Sequence, residues 1–244
     1  MPDRSERSGF VLTMNRDELR TRDEGKPYTG IREQTAAVYP VDALAGGTWI
    51  GLNDQGVCMA LLNRYQSPSI ADARSRGKII TETIHKGGMQ ACLNYLKTLP
   101  LVQFNPFDLL IVNLEQVWHL SWDRQRPVWR QLRVNQPIML TSSSERLPEV
   151  SAYRQHLFSD WLKQEEDLDQ IEAFHRYQAL GREADAVYMS RQAVHSKSLV
   201  QIRANDQQAK LVYCDERALS SGVPLAQAQT FSLKLQEEYL ECSA

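Results

Sequence analysis

The sequence lacks the short motifs that mark common cofactor, nucleotide and metal sites. It contains no GxSxG elbow, no phosphate-binding P-loop and no GxGxxG turn. Its five histidines show no HExxH or similar ligand spacing, and its four cysteines form no CxxC pair. We therefore expect no metal site and no cofactor, and we expect the cysteines to be reduced thiols.

Long hydrophobic runs and an excess of one charge are also lacking. No apolar run approaches the roughly twenty residues needed to span a bilayer, and no apolar targeting segment opens the chain. The 28 basic and 30 acidic residues give a net charge of -2, which provides no general attraction to a phosphate backbone. These features predict a cytoplasmic protein with no nucleic-acid partner and no integral membrane association, and they leave its oligomeric state open.

The residues that are present predict one folded unit of the α+β class. The 244 residues are 42% hydrophobic, no linker or repeat divides them, and we expect a single domain over residues 1–244. Residues 21–40 have the composition of a long polar connection. The predicted strands are 10–14, 49–52, 57–62, 107–113, 116–122, 127–134, 137–141, 187–190, 199–203, 210–214 and 230–235, and the predicted helices are 78–86, 89–99, 148–162 and 168–180. Runs of strands separated by helix pairs indicate antiparallel sheets covered by helices.

Polar residues at the ends of two predicted strands are the first candidates for a site. The strand 10–14 runs into Asn15, Arg16, Asp17 and Glu18, which is typical either of a solvated turn or of one wall of an active site. Asn63 ends a strand that is apolar at nearly every position. Its amide can donate a hydrogen bond to a developing oxyanion, or it can cap the strand without a function.

Two motifs, taken together, favour the active-site interpretation over the solvated turn and the strand cap. They are MNRDELRTR and AGGTWIGLNDQGVCMALLN, which begin about thirty residues apart. At this spacing they resemble the NRDE family, whose eukaryotic members are the transport-and-Golgi-organisation proteins. The likeness is strongest over residues 10–64 and continues more loosely through LTSSSERLP and YMSRQAVHSKSLV.

The resemblance implies a fold and a set of site residues. Members of the family look like N-terminal-nucleophile (Ntn) hydrolases, which are four-layer αββα sandwiches of two antiparallel sheets. In such enzymes an N-terminal Cys attacks an amide or thioester carbonyl, and its own amino group is the base. By position, Arg16 and Asp17 flank the nucleophile and Asn63 matches the oxyanion-hole Asn; the Arg–Asp order differs from the relatives, which leaves the individual roles open. Further residues of the motifs that the resemblance brings to the cleft as binding residues are Asn15, Trp49, Ser142 and His195.

Several positions depart from the family pattern. Pro2 rather than Cys follows Met1, Ser142 stands where the family tends to have Asn, and His195 falls near its Arg. The nucleophile is therefore absent, and as written the chain should not be an Ntn hydrolase. Residues 2–9 hold no apolar side chain and resemble a hairpin loop, so the strand that should precede them is missing. We expect a genuine start upstream that encodes Met-Cys and a short apolar strand.

Three functions remain open. The first is a cleft that binds a small amphipathic ligand, with haem and acyl-coenzyme A or a lipid as candidates because family members have been linked to handling them. The second is a cysteine-type amidohydrolase or acyltransferase acting on amide or thioester bonds, if the nucleophile lies upstream. The third is an interaction protein of membrane traffic, suggested only by the name of the eukaryotic relatives.

Overall fold

The computed structural model describes residues 9–65, 67–164 and 170–236, which form two antiparallel sheets and five α-helices. The strands are β1 Gly9–Leu19, β2 Glu24–Arg32, β3 Thr35–Asp42, β4 Ile50–Asn53, β5 Cys58–Asn63, β6 Phe107–Val112, β7 Val117–Trp122, β8 Pro127–Leu132, β9 Val194–Asn205, β10 Gln208–Cys214 and β11 Gln229–Lys234. The helices are α1 Gly77–Thr83, α2 Met89–Thr98, α3 Leu147–Gln164, α4 Ile171–His175 and α5 Glu216–Ser220.

The two sheets pack face to face and carry helices on their outer sides. One sheet has the strand order β1-β9-β10-β11, and the other runs from β2 to β8 in chain order. Apolar side chains between the sheets, such as Leu52 on β4 and Ile202 on β9, form one core. Helices α1 and α2 cover the larger sheet through residues such as Ile80 and Leu96, while α5 covers the smaller sheet through Leu219. The predicted αββα sandwich is confirmed.

The hairpin of β4 and β5 explains the AGGTW motif that precedes it. A Cβ on Gly47 would lie 2.7 Å from the carbonyl carbon of Gly77, and a Cβ on Gly77 would lie 2.7 Å from the amide nitrogen of Thr48. Only glycine at both positions allows this backbone approach. The contact fixes the start of α1 beside the chain that leads into Trp49.

Some predicted elements are wrong. Residues 21–40 are not a connection but contain β2 and most of β3, joined by Glu33 and Gln34 at positive φ. Because β2 is an edge strand with mostly half-exposed or exposed side chains, it carries no apolar alternation. Residues 137–141 and 187–190 form no named strand, and the helix predicted over 168–180 is limited to α4 within its described part.

The five described helices are between five and eighteen residues long. None of them, within residues 9–65, 67–164 and 170–236, is long and apolar enough to cross a membrane.

Candidate functional site

A cavity of about 1050 Å³ follows one edge of β1. Consecutive β1 residues from Gly9 to Glu18 all line it, although neighbouring side chains on a strand point to opposite faces. Among the described strands β1 pairs only with β9, so its other edge is unpaired and faces the cavity. The cavity therefore presents a strip of backbone N–H and C=O groups together with side chains from both faces of the strand.

Most of the cavity wall is apolar. One side comes from alternate residues of β1, the opposite side from the larger sheet, and the remainder from the chain before α3 and from α3 and α4. These residues include Phe10, Leu12, Met14, Trp49, Leu110, Val112, Val117, Ile138, Leu140, Phe158, Trp161, Leu162, Ile171 and Phe174.

Arg16 is buried at the polar end of this wall, with 6% of its side chain exposed. Its guanidinium donates to Glu24 Oε1 at 3.1 Å and lies 4.4 Å from the ring centre of Trp49. Glu24 is itself held by Ser198 Oγ at 2.8 Å and by the Tyr213 hydroxyl at 2.5 Å. This network fixes Arg16 between the two sheets, so it is not the solvated surface pair that its sequence position also permits.

Asp17 points to a different set of partners. The register of β1 against β9 shifts between Arg16 and Asp17, which marks a β-bulge. Ser196 Oγ donates to Asp17 Oδ1 at 2.5 Å, and Arg154 Nη2 lies 3.8 Å from Asp17 Oδ2. Burial raises the pKa of the Asp17 carboxyl, and this effect outweighs the opposing charge of Arg154.

Asn15 links β1 to α4 and fixes the tautomer of His175. Its amide nitrogen donates to the carbonyl oxygens of His175 and Val187 at 2.9 and 2.8 Å. Its amide oxygen lies 3.0 Å from His175 Nδ1, so that ring nitrogen is the donor. Burial lowers the pKa of His175 to about 3, which keeps the imidazole neutral. His175 lines the cavity, and its Nε2 is left as an acceptor with no described hydrogen-bond partner.

The other predicted site residues divide into two places. Asn63, Trp49 and Ser142 line the cavity, and Asn63 Nδ2 donates to the Tyr65 hydroxyl oxygen at 3.0 Å. His195 does not line it: its side chain faces α5, where Nε2 lies 2.8 Å from Glu216 Oε1. The structure therefore brings together all the predicted residues except His195.

Several residues of the cavity were not predicted from the sequence, among them Arg76, Arg154 and His175. Arg154 is buried on the same face of α3 as Val150 and Phe158, which are spaced four residues on either side. A charged residue on an apolar helix face was a usable signal, because an arginine is seldom buried without partners. Here it donates to the carbonyl oxygens of Asp185 and Ala186 at 3.1 and 2.8 Å.

The described residues were also searched for metal ligands. Across residues 9–65, 67–164 and 170–236, no group of three or more His, Cys, Asp or Glu side chains is arranged to hold a metal ion.

Comparisons with known proteins agree with this architecture. The family profile described as Transport and Golgi organisation 2 matches residues 2–232. A solved structure of the Caenorhabditis elegans N-acylethanolamine-hydrolyzing acid amidase ortholog is similar, with a TM-score of 0.57, 13% identity and coverage of 79% of this chain and 86% of that chain. At this identity the likeness establishes the shared fold alone.

Two further structures are more distant. Penicillin V acylase from Agrobacterium tumefaciens gives a TM-score of 0.48 at 10% identity, covering 97% of this chain and 91% of that chain. Conjugated bile acid hydrolase from Clostridium perfringens gives 0.48 at 10% identity, covering 96% of this chain and 97% of that chain. Among curated protein sequences, none matches this chain significantly.

Proposed function

The chain belongs to the Transport and Golgi organisation 2 family, and we propose that its cavity binds a small amphipathic ligand. The observation that carries this proposal is the joining of a long apolar wall to a charged end within one cavity of about 1050 Å³. Ligand pockets commonly span about 300–1,000 Å³ and pair apolar lining with a few polar groups that orient the ligand. Haem and acyl-coenzyme A or a lipid are the candidate ligands.

The burial of the described cysteine thiols favours ligand binding over covalent catalysis by this chain. Three described cysteines, Cys58, Cys92 and Cys214, are buried and unpaired, and none of them lines the cavity. Burial raises the pKa of the Cys92 thiol to about 12 and that of Cys58 further, so both stay protonated and are poor nucleophiles. The fourth, Cys242, lies outside the described residues.

Haem adds one requirement, a ligand for its iron, and His175 fits it. The imidazole is neutral, its Nδ1–H is held by the Asn15 amide oxygen, and His175, whose Nε2 retains its lone pair, lines the cavity. Hydrogen bonding of the second ring nitrogen is the usual way in which a metal-ligating histidine is oriented. The surrounding aromatic rings of Phe174 and Trp161 suit a flat apolar ligand.

Titration of the purified protein with haemin and with palmitoyl-coenzyme A tests this function. We expect saturable binding of at least one of them, followed by visible absorbance for haemin and by calorimetry for the thioester. If haemin binds, His175→Ala should alter its absorbance spectrum, whereas His156→Ala, an exposed position on α3, should not. The absence of saturable binding by both compounds would contradict the proposal.

The open edge of β1 favours a second candidate function, a cysteine-type amidohydrolase or acyltransferase. A strand paired with that edge would run alongside Arg16 and Asp17, in the cavity that Asn63 also lines. A cysteine on such a strand would meet the groups that the family resemblance assigns to a nucleophile and an oxyanion hole.

This second candidate is tested by the in-frame codons before Met1. Protein extended by that sequence should hydrolyse an amide or thioester substrate, and replacement of the added cysteine by alanine should abolish the activity. A stop codon directly upstream with no cysteine codon between would remove the candidate.

A further inference from the structure

One arginine of the cavity differs from the others in having no carboxylate partner among the residues that the structure describes. Six arginines line the cavity: Arg16, Arg22, Arg74, Arg76, Arg154 and Arg191. Arg74 pairs with Glu82, Arg154 lies 3.8 Å from Asp17, and Arg191 lies 3.8 Å from Glu145.

Arg16 and Arg22 are also paired with carboxylates. Arg16 pairs with Glu18, Glu24 and Asp42, and Arg22 pairs with Glu18 and Asp42. Among the described residues no Asp or Glu oxygen lies within 4.0 Å of the Arg76 guanidinium, so Arg76 is the one cavity arginine there without an ion pair.

The surroundings of Arg76 leave part of its guanidinium unused. Nη1 donates to the carbonyl oxygen of Pro106 at 2.9 Å, and no other hydrogen bond of the side chain is described. Burial disfavours its charged form and lowers the pKa of Arg76, while Glu18 and Arg22 act on it in opposite directions. A partly desolvated guanidinium without a counter-ion binds an added carboxylate or phosphate strongly, because both accept paired N–H bonds in its plane.

Two neutral hydrogen-bonding side chains, Tyr65 and Asn63, line the cavity together with Arg76. The Tyr65 hydroxyl oxygen accepts a hydrogen bond from Asn63 Nδ2 at 3.0 Å. The hydroxyl proton of Tyr65 therefore remains available as a donor. All three side chains line the cavity that contains the apolar wall.

We propose that Arg76, with Tyr65 and Asn63, binds the anionic head group of the ligand, a carboxylate or a phosphate, while the apolar wall holds its hydrocarbon part. This inference rests on the proposed ligand-binding function and specifies its chemistry. It assigns Arg76 to recognition of the head group. The neighbouring Arg74 does not share this role, because its guanidinium already pairs with Glu82.

Three probes of equal chain length and different head groups separate the contributions: dodecanoate, dodecyl phosphate and dodecanol. Calorimetric titrations of the wild-type protein should show at least one anion binding about tenfold or more tightly than dodecanol. Arg76→Gln should remove that preference and leave the affinity for dodecanol unchanged. Arg74→Gln, the matched control two residues away, should keep the preference, and Tyr65→Phe should reduce it in part.

The outcomes distinguish this inference from the function on which it rests. Tighter binding of the carboxylate or of the phosphate identifies which head group the site takes. Equal binding of all three probes, or an anion preference that survives Arg76→Gln, overturns the head-group assignment while the binding function stands. No binding of any probe also overturns the head-group assignment, and the binding function then stands or falls with the haemin and palmitoyl-coenzyme A titrations.

Discussion

At the scale of residues, Asn15, Arg16 and Asp17 are consecutive but serve three separate sets of contacts. Asn15 reaches α4, Arg16 reaches Glu24 between the sheets, and Asp17 reaches Ser196. The alternation of a strand and the bulge after Arg16 together send neighbouring side chains in different directions. The polar cluster therefore surrounds the open edge of β1 rather than forming one ion pair.

The raised pKa of Asp17 gives stability a definite pH dependence. The folded chain holds the proton of the Asp17 carboxyl more tightly than the unfolded chain does. This proton therefore stabilises the fold below pH 3.8, and the stabilisation is lost as the pH rises through the pKa of folded Asp17. We expect wild-type protein to lose stability relative to Asp17→Asn over that rise, measured by urea unfolding at several pH values. Asp123→Asn should give the opposite slope, because backbone hydrogen bonds from Gln125 and Arg126 lower the pKa of Asp123. If the stability of the wild-type protein changed with pH in the same direction relative to both variants, the raised pKa of Asp17 would be contradicted.

His175 acts in a different pH range. Its pKa falls from 6.5 to about 3 on folding, so the unfolded chain binds more protons between these values. The free energy of unfolding of the wild-type protein should therefore decrease relative to His175→Gln as the pH falls from 6.5 towards 3. Denaturant titrations across this range, with exposed His156→Gln as control, measure the effect. An equal pH dependence in the wild type and His175→Gln would show that the imidazole is not held neutral.

At the scale of elements, Glu24 joins the two sheets. It begins β2 in the larger sheet and contacts Arg16 on β1, Ser198 on β9 and Tyr213 on β10 in the smaller one. Removal of one member of a buried charged network leaves the others unpaired, at a cost of about 3–5 kcal/mol. Glu24→Ala should lower the free energy of unfolding by that amount, whereas Glu33→Ala, which breaks an exposed pair with Lys86, should cost about 0–1 kcal/mol. Similar losses for the two variants would argue against Glu24 as the link.

The contact between the AGGTW turn and α1 makes a second prediction at this scale. A methyl group on Gly47 would lie 2.7 Å from the backbone of Gly77, so Gly47→Ala should destabilise the protein by about 1–3 kcal/mol. Gly25→Ala is the matched control, because its added methyl would meet nothing nearer than 3.5 Å. Thermal or urea unfolding compares the two, and an unchanged stability of Gly47→Ala would mean that the turn and α1 can separate easily.

Elements with a strong local pattern could be predicted from the sequence, and others could not. β4 and β5 are apolar on both faces and are joined by a turn with Gly56 at positive φ, so the hairpin was visible. β2 forms because β3 offers it a pairing partner, and its residues are half-exposed or exposed along the whole strand. Its sequence therefore had no buried face to reveal it.

At the scale of the whole molecule, the site combines residues that are close in the sequence with residues brought in by tertiary packing. Asn15, Arg16, Asp17, Trp49 and Asn63 come from two neighbouring motifs and were predicted as a group. His175 and Arg154 lie on α4 and α3, far along the chain from both motifs, and the packing of α4 on β1 and of α3 on α4 brings them to the cavity. The spacing of one sequence cannot reveal such approaches, since they depend on how the layers stack.

Occupation of the cavity should stabilise the fold as a whole, because the cavity lies between the opposite sheet and an edge of β1 that no described strand pairs with. A ligand that binds only the folded chain raises the free energy of unfolding by about 2.7 kcal/mol at a hundred times its dissociation constant. It should also slow amide exchange along β1, whose outer edge faces the ligand. Hydrogen exchange with and without saturating ligand measures both effects, and β10, whose two edges are both paired, is the internal control. Protection of β10 without protection of β1 would place the ligand elsewhere.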